Sequence, residues 1–363
     1  MELLNIPSAW KGNEILNSQY WNYQLSREEI AEIEAAIHAI QLDRSQPLKF
    51  DLLKKVFEGI SEELENGKGA VLLKGIPVDR YSTEEIADVY MALCEQMGTL
   101  VRQSHSDFNS DSASRKRSQF VGYVRAETSG TAKEGKQSND PYQFHTDRCD
   151  AISLLCIRQA REGGESRLAS ATAIYNEIIQ TDPDIARELF KDMPWIYEGE
   201  QGWMSYPLWH IHQGKFTTQY STAYVHLSQF VSGAPKLTQK QKEGIDLLQE
   251  TGLKVGIEFK LNPGDWLIAN NHTVYHARSS WEMELGQSDR FLLRIWYSPF
   301  NSRGLPDTPT FRTMWASVEP GKPRGGFLPS YHVPPEREIT EPLSEKDAYW
   351  LAEFQKGRWV GIK

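Results

Sequence analysis

The chain has 363 residues, of which 39% are hydrophobic and 25% charged, values typical of a globular protein that can bury a core. Forty basic residues against 49 acidic ones leave a formal net charge of −9, which disfavours nucleic acid or an anionic membrane as the main partner because both require a basic surface. The three cysteines fit neither a disulfide framework nor a zinc signature. With no signal-peptide pattern and no long apolar run, the sequence predicts a soluble cytoplasmic protein.

The first hundred residues predict a mainly helical part. Residues 26–41 have an apolar stripe at helical spacing, and Ser26 with Glu29 has the pattern of a capping box. A β-rich run at 70–78 predicts a strand. A second capping box, Ser82 with Glu85, opens the next helix, and Gly98 is expected to end it.

Beyond residue 100, short strands dominate the pattern. Residues 102–140 are polar and rich in serine and glycine, which is typical of a functional loop. Strands are predicted at 151–160, 166–174, 258–261, 265–270 and 290–298. Helices are predicted at 182–190 and at 237–252, the second capped by Thr238 and ended by Gly252. Many short strands with few helices favour a barrel or jelly roll over a βαβ sheet.

The segment PYQFHTDRCD (141–150) places His145 and Asp147 two residues apart. In an extended chain both side chains point to the same side, so they can meet one cation. A distant second histidine would complete a 2-His-1-carboxylate facial triad, the ligand set of non-haem iron oxygenases. Taken alone the tripeptide is weak, because H-x-D also occurs in ordinary surface turns.

The segment PGDWLIANNHTVYHARSSW (263–281) supplies that histidine. His272 and His276 are four apart, but the surrounding pattern favours strand and loop over a helical zinc pair. Further on, Arg290 and Arg294 share one face of a predicted strand. Flanking apolar residues argue against a solvent-exposed strand, and arginines that point into a core need anions to meet them.

With these motifs the chain resembles the taurine dioxygenase (TauD/TfdA-like) family of iron(II)- and 2-oxoglutarate-dependent oxygenases. FHTD, GGESRLAS, PGD…NN…HAR and DRFLLR occur in the family's order over roughly residues 70–300. The resemblance implies a mainly β fold with flanking helices around a double-stranded β-helix (jelly-roll, cupin-like) core. We expect a single oxygenase domain over 1–363, with a helical part (1–100), a core (100–300) that carries inserts at 102–140 and 176–252, and a C-terminal wrap (301–363).

The resemblance also implies roles for individual residues. His145, Asp147 and His276 would be the iron(II) ligands. Ser166, where the family usually has threonine, and Arg290 would hold the distal carboxylate of 2-oxoglutarate. The arginine that in relatives often meets an anionic group of the substrate corresponds to Arg294, and the other expected substrate contacts are Tyr142, Arg148, His210 and His212, with packing the default role of the last two. Because Asp147 is present, halogenation is not expected.

The implied function is a dioxygenase that uses iron(II), 2-oxoglutarate and O2 to oxidise an unactivated C–H bond of a small anionic substrate, releasing succinate and CO2. Hydroxylation is the expected outcome, and a desaturase or cyclase of the same family in natural-product biosynthesis is the alternative. A non-oxygenase cupin-type metal enzyme would not need Arg290 and Ser166, and an inactive binding protein would not need all three ligands. The expected partner is a small molecule, without nucleic acid or membrane, and a homo-oligomer is compatible with the sequence. The pattern does not identify the substrate.

Overall fold

Helices surround the strands in the computed structural model, which describes residues 1–43, 48–103, 117, 119–125, 142–197, 202–281 and 290–326. The α-helices are α1 (Arg27–Leu42), α2 (Leu53–Asn66), α3 (Thr83–Glu95), α4 (Ala171–Thr181), α5 (Pro183–Leu189), α6 (Thr222–Ser228), α7 (Gln239–Val255) and α8 (Pro309–Trp315), and a 3-10 helix spans Gly12–Asn17. No helix of these ranges is both long and apolar enough to cross a membrane.

The strands form two main sheets and two hairpins. They are β1 (Trp21–Gln24), β2 (Ala70–Lys74), β3 (Gly98–Val101), β4 (Val121–Arg125), β5 (Tyr142–His145), β6 (Ala151–Arg158), β7 (Ser166–Ser170), β8 (Asp192–Ile196), β9 (Trp203–Pro207), β10 (Trp209–His212), β11 (Lys215–Thr218), β12 (Ile257–Phe259), β13 (Trp266–Asn270), β14 (Val274–Arg278) and β15 (Phe291–Pro299).

The larger sheet has the order β1-β2-β13-β6-β15-β3, with β4 also paired to β15, and the smaller has the order β12-β7-β14-β5. Apart from the parallel β1–β2 pair, neighbours in both sheets are antiparallel. Strands distant in sequence lie side by side, as β13 does between β2 and β6. This arrangement confirms the predicted mainly β fold with a jelly-roll core and flanking helices.

The N-terminal helices pack on the larger sheet. Apolar side chains of α1, α2 and α3 share one buried cluster with residues of β2, β6, β13 and β15. Both predicted capping boxes are present: the hydroxyl of Ser26 accepts from the Glu29 amide, and that of Ser82 accepts from the Glu85 amide. These bonds satisfy amides that have no partner inside the helix, so each helix begins where the sequence indicates.

Several element boundaries differ from the prediction; the strand predicted at 70–78, for example, ends at Lys74. Three of the differences have a clear local cause. The predicted strand 166–174 ends at Ser170, whose side chain caps α4 by accepting from the Ala173 amide. Gly98 begins β3, and α3 has already ended at Glu95. Gly252 lies within α7, where an added Cβ would come within 2.8 Å of the Phe144 ring, so this glycine permits close packing rather than ending the helix. Most of the predicted 102–140 insert, and the C-terminal wrap beyond 326, lie outside the described residues.

Candidate metal centre

The smaller sheet brings the three predicted ligands together. His145 at the end of β5 pairs directly with His276 of β14, and Asp147 follows β5 by two residues. Ring centroids of the two histidines are 4.1 Å apart. One ligand atom from each of the three residues lies within 4.8 Å of the others. A pair that is local in sequence and a histidine from a distant strand therefore form one cluster.

The two histidines are held in the neutral form that binds metals. Nδ1 of His145 lies 2.8 Å from the Gln143 carbonyl, so it donates there and leaves a lone pair on Nε2. Burial lowers the pKa of His145, and it lowers the pKa of His276 to about 3. Nδ1 of His276 is buried and has no hydrogen-bond partner within the part of the chain that the structure describes. Both imidazoles can therefore act as ligands at neutral pH.

Asp147 is kept ionised by two donors that contact the same carboxylate oxygen. Nε1 of Trp296 donates to Oδ2 at 2.7 Å and Nη1 of Arg294 donates to it at 3.1 Å. Burial alone would raise the pKa of Asp147, but the charge of Arg294 and the hydrogen bond from Trp296 help to hold it below its ordinary value. Oδ1 lies 3.9 Å from Nε2 of His145, too far for a hydrogen bond, and remains available to a cation.

The donor set fits iron(II). Two neutral imidazoles and one carboxylate, meeting from two adjoining strands, are the facial triad of non-haem iron sites, which leaves further positions on the metal open. Two of the three residues also have the outer support that such sites use: a carbonyl fixes the tautomer of His145, and Trp296 and Arg294 orient Asp147.

A cavity of about 230 Å³ extends from this cluster between the two sheets. One face of β15 and the residue before the strand line it, because side chains two apart share a face: Arg290, Leu292, Arg294 and Trp296. The smaller sheet contributes residues from the opposite wall: Ser166, Leu168, His276 and Arg278. The cavity therefore joins the metal cluster to a second, arginine-rich region.

Arg290 is the most notable residue of that region. It is 2% exposed, and its Nε donates to the Gly164 carbonyl at 3.2 Å. Among the described residues no carboxylate forms an ion pair with it. Burial lowers its pKa to about 10, so it is still cationic at neutral pH. A buried cation without a counter-charge is costly, and an anion in the cavity would offset that cost. Ser166, 5% exposed, lines the same cavity.

Two of the other expected substrate contacts line the cavity and two do not. Tyr142 and Arg148 belong to its wall. His210 lies in β10 and packs edge-on against Phe311, with ring centroids 4.6 Å apart. His212 ends the same strand, paired with Lys215 in the β10–β11 hairpin. The structure thus places the two histidines in a separate hairpin and not at the cavity.

His272, which shares its segment with His276, is also not part of the cluster. Its Nε2 lies 2.6 Å from Oδ1 of Asp150, and that carboxylate accepts from the guanidinium of Arg324. All three residues are at most 2% exposed. They form a buried ionic network of the fold, consistent with the expectation that His272 and His276 are not a zinc pair.

Sequence reasoning missed several residues of the site. Trp296 could have been found, because it continues the alternation of Arg290 and Arg294 along β15. Gln103 accepts from Nε of Arg294 at 2.7 Å, but it comes from a distant part of the chain and no local pattern indicates the contact. Arg278 could also have been found, because it lies two residues after His276 on β14 and therefore shares its face.

Comparisons with known proteins find related sequences. The sequence model of the family described as "Taurine catabolism dioxygenase TauD, TfdA family" matches residues 28–296. FR-33289 synthase of Streptomyces rubellomurinus is 27% identical over 351 residues, which cover 89% of this chain and 99% of that protein. The taurine hydroxylase-like protein SAT17 of Stachybotrys chartarum is 26% identical over 324 residues, covering 80% and 79% respectively.

Solved structures share the fold at low sequence identity. Asparagine oxygenase in complex with Fe(II), 3-hydroxyasparagine and succinate has a TM-score of 0.58 and 13% identity, covering 76% of this chain and 93% of that one. The non-haem iron oxygenase OrfP in complex with Fe and α-ketoglutaric acid has a TM-score of 0.55 and 14% identity, with the same coverage.

Proposed function

We propose a reaction for this chain, which belongs to the taurine catabolism dioxygenase TauD, TfdA family: the oxidation of an unactivated C–H bond in a small anionic molecule. The enzyme is a non-haem iron dioxygenase that depends on 2-oxoglutarate and releases succinate and CO2. The observation that carries the proposal is the single cavity that joins the His145–Asp147–His276 cluster to the buried cation of Arg290.

Iron(II) would be held by Nε2 of His145, Oδ1 of Asp147 and the imidazole of His276. The neutral histidines and the ionised carboxylate support this assignment, since both are the states in which these groups bind metals. One carboxylate and two imidazoles leave the bound ion with a net positive charge. An anionic oxo acid can then bind beside them without repulsion.

The distal carboxylate of 2-oxoglutarate would be bound by Arg290 and Ser166. Arg290 is buried, cationic and without an ion pair in the described residues, and the Ser166 hydroxyl lines the same region. A guanidinium offers a fork of donors that matches a carboxylate, and burial strengthens the interaction. Both residues also match positions that the family resemblance assigns to this carboxylate.

When bound, iron(II), 2-oxoglutarate and O2 supply the oxidising power: the oxo acid loses CO2 to give succinate, and one oxygen atom becomes available for the substrate. The side chains of the protein position the metal ligands and exclude water from the site. Trp296 and Arg294 fix the orientation and charge of Asp147. Apolar wall residues such as Leu292 and Ile152 exclude water from the space where a C–H bond would lie.

The substrate would be a small acid. Five arginines line the cavity, namely Arg148, Arg167, Arg278, Arg290 and Arg294, and of these Arg167 pairs with Glu258. Asp147 is the acidic residue of the wall as far as it is described. A bound metal would offset the charge of Asp147, and the arginines would then leave the cavity with positive charge that attracts an anionic substrate. Hydroxylation is the proposed outcome, and the alternative outcomes, desaturation and cyclisation, would show a product lighter by two hydrogens instead of heavier by one oxygen.

The first experiment tests the class of reaction. Adding 2-oxoglutarate to the iron(II)-loaded protein without air should produce the visible metal-to-ligand charge-transfer band, and admitting air with a substrate should release succinate. A protein that shows neither the band nor succinate contradicts the proposal. His276→Ala should abolish iron binding, whereas Arg290→Ala should keep iron and mainly raise the 2-oxoglutarate concentration required. Equal and trivial effects of both changes would contradict the assigned roles.

The second experiment addresses the substrate. Small carboxylic, sulfonic and phosphonic acids are screened by succinate release, each next to its neutral amide or ester. Acids should stimulate release more than their neutral partners, and the mass of the product identifies the outcome. Stimulation by the neutral partners alone would overturn the proposal of an anionic substrate.

A further inference from the structure

Behind the arginine-rich end of the cavity lies a buried tryptophan. Trp281 is 3% exposed and follows β14 by three residues. It does not belong to the cavity wall in the described structure. Among the described buried apolar residues it clusters with Ala160 alone, apart from the three larger cores. A side chain of this size therefore contributes little to the main cores.

Two arginines lie close to its ring. The guanidinium carbon of Arg278 lies 4.2 Å from the centroid of the Trp281 ring, and that of Arg290 lies 5.5 Å from it. Both arginines line the cavity. The face of an indole attracts cations, most strongly where water is excluded. One indole thus lies within cation–π distance of two guanidiniums.

The backbone around Trp281 is built to maintain this arrangement. Trp281 forms an isolated antiparallel bridge with Gly163, and the Gly164 amide donates to the Ser280 carbonyl at 2.9 Å. Gly164 has φ +71, and an added Cβ would come within 2.8 Å of Cδ of Arg290. The two glycines let this turn approach both Trp281 and Arg290, which a larger residue would prevent.

The register of the sheet connects this group to the carboxylate site. Arg278 pairs directly with Ser166 across β14 and β7, so their side chains leave the same face. On β14, Arg278 is two residues from His276 and also shares its face. A cosubstrate that binds near His276 and reaches Ser166 would therefore pass alongside Arg278.

We propose that Trp281 is a positioning residue for the distal carboxylate of 2-oxoglutarate: its indole holds Arg278 and Arg290 as a paired cationic site beside Ser166. The inference rests on the proposed 2-oxoglutarate site and adds two residues to it. Trp281 does not contact the carboxylate, and it acts by fixing the two guanidiniums. Its loss should weaken recognition of the distal carboxylate and leave the metal ligands unchanged.

The experiment compares two oxo acids on the manganese(II)-loaded protein, by calorimetric titration without air. 2-Oxoglutarate carries the distal carboxylate. 2-Oxopentanoate has the same five-carbon chain with a methyl group in place of that carboxylate. Trp281→Leu should raise the dissociation constant for 2-oxoglutarate about tenfold. The constants for 2-oxopentanoate and for manganese(II) should change less than twofold. Trp281→Phe, which keeps a smaller aromatic face, should lie between the wild type and Trp281→Leu.

The outcomes separate this inference from the proposed function. If the wild type binds both oxo acids equally, the carboxylate site assigned to Arg290 is wrong. If the wild type discriminates and Trp281→Leu still discriminates equally, Trp281 has no positioning role. A purely structural role would weaken the binding of both oxo acids and of the metal together, which would also overturn the inference. If Trp281→Leu does not fold, Trp281→Phe decides by the same comparison.

Discussion

Replacing Trp296 by phenylalanine should weaken metal binding although none of the three ligands changes. The indole Nε1 donates to Oδ2 of Asp147 at 2.7 Å, and the residue is 7% exposed. Phenylalanine keeps an aromatic ring on β15 and removes this donor. Asp147 then loses one of the two donors that hold Oδ2 and leave Oδ1 for the metal.

The size of the effect follows from the bonds that remain. A hydrogen bond to a charged group contributes about 1.5–3 kcal/mol, and outer partners of metal ligands change metal affinity about 10–100-fold. Nη1 of Arg294 still donates to the same oxygen at 3.1 Å in the variant. We therefore expect an effect at the lower end of this 10–100-fold range, which is an increase of about tenfold in the dissociation constant of the metal.

The assay is a titration of the metal-free protein with manganese(II) or iron(II) without air, and Trp10→Phe is the matched control. Nε1 of Trp10 donates to the Lys68 carbonyl at 2.8 Å, and Trp10 is 1% exposed. The control thus loses the same kind of bond away from the cavity wall. The reasoning is refuted if Trp296→Phe binds metal within twofold of the wild type, or if the control loses as much affinity.

Three further substitutions test the fold and the approach to Arg290. Among the described residues neither ring nitrogen of buried His210 has a hydrogen-bond partner, and burial holds its pKa well below 6.5. The unfolded chain therefore takes up a proton at a higher pH than the folded chain, and stability decreases as the pH drops below 6.5. His210→Phe should reduce this loss in urea unfolding between pH 7 and 5, and an unchanged pH dependence contradicts it. Glu65 accepts from buried Arg303 at 3.1 Å. Glu65→Gln would leave a buried charge without its partner and should lower the free energy of unfolding by about 3 kcal/mol. A loss below about 1 kcal/mol, the value typical of exposed pairs, would contradict this. Gly164→Ala should displace Arg290 and raise the KM for 2-oxoglutarate more than it lowers kcat; a change in kcat alone in steady-state kinetics would contradict this.

Local chemistry explains what the sequence could predict of the fold. A capping box involves residues three apart, so Ser26 and Ser82 indicate their helices without knowledge of the tertiary structure. The run at 166–174 is different, because a short apolar stretch fits a strand or a buried helix equally well. The hydroxyl of Ser170 caps α4, so β7 ends and the helix begins at this residue. The alternation of apolar residues does not reveal this boundary.

Tertiary packing explains the errors that remain. Glycine is common at helix ends, so Gly252 is predicted to end its helix. In the fold it lies within α7 and faces the Phe144 ring. A glycine that permits close approach and a glycine that ends a helix look the same in sequence. For His210 and His212 the sequence leaves packing and substrate contact as alternatives, and in the described structure the β10–β11 hairpin keeps both residues out of the cavity wall.

The contacts of Arg294 were not predicted by the family resemblance either. The pattern places it on the same face as Arg290, and relatives suggest an anion of the substrate as its partner. In the fold its Nη1 donates to Asp147 and its Nε to Gln103, which in turn donates to the Arg294 carbonyl at 2.8 Å. The guanidinium is thus already bound to Asp147, one of the three proposed metal ligands. A substrate anion at Arg294 would compete with Asp147 for its charge, so substrate binding and the charge of the metal site are linked through this one side chain.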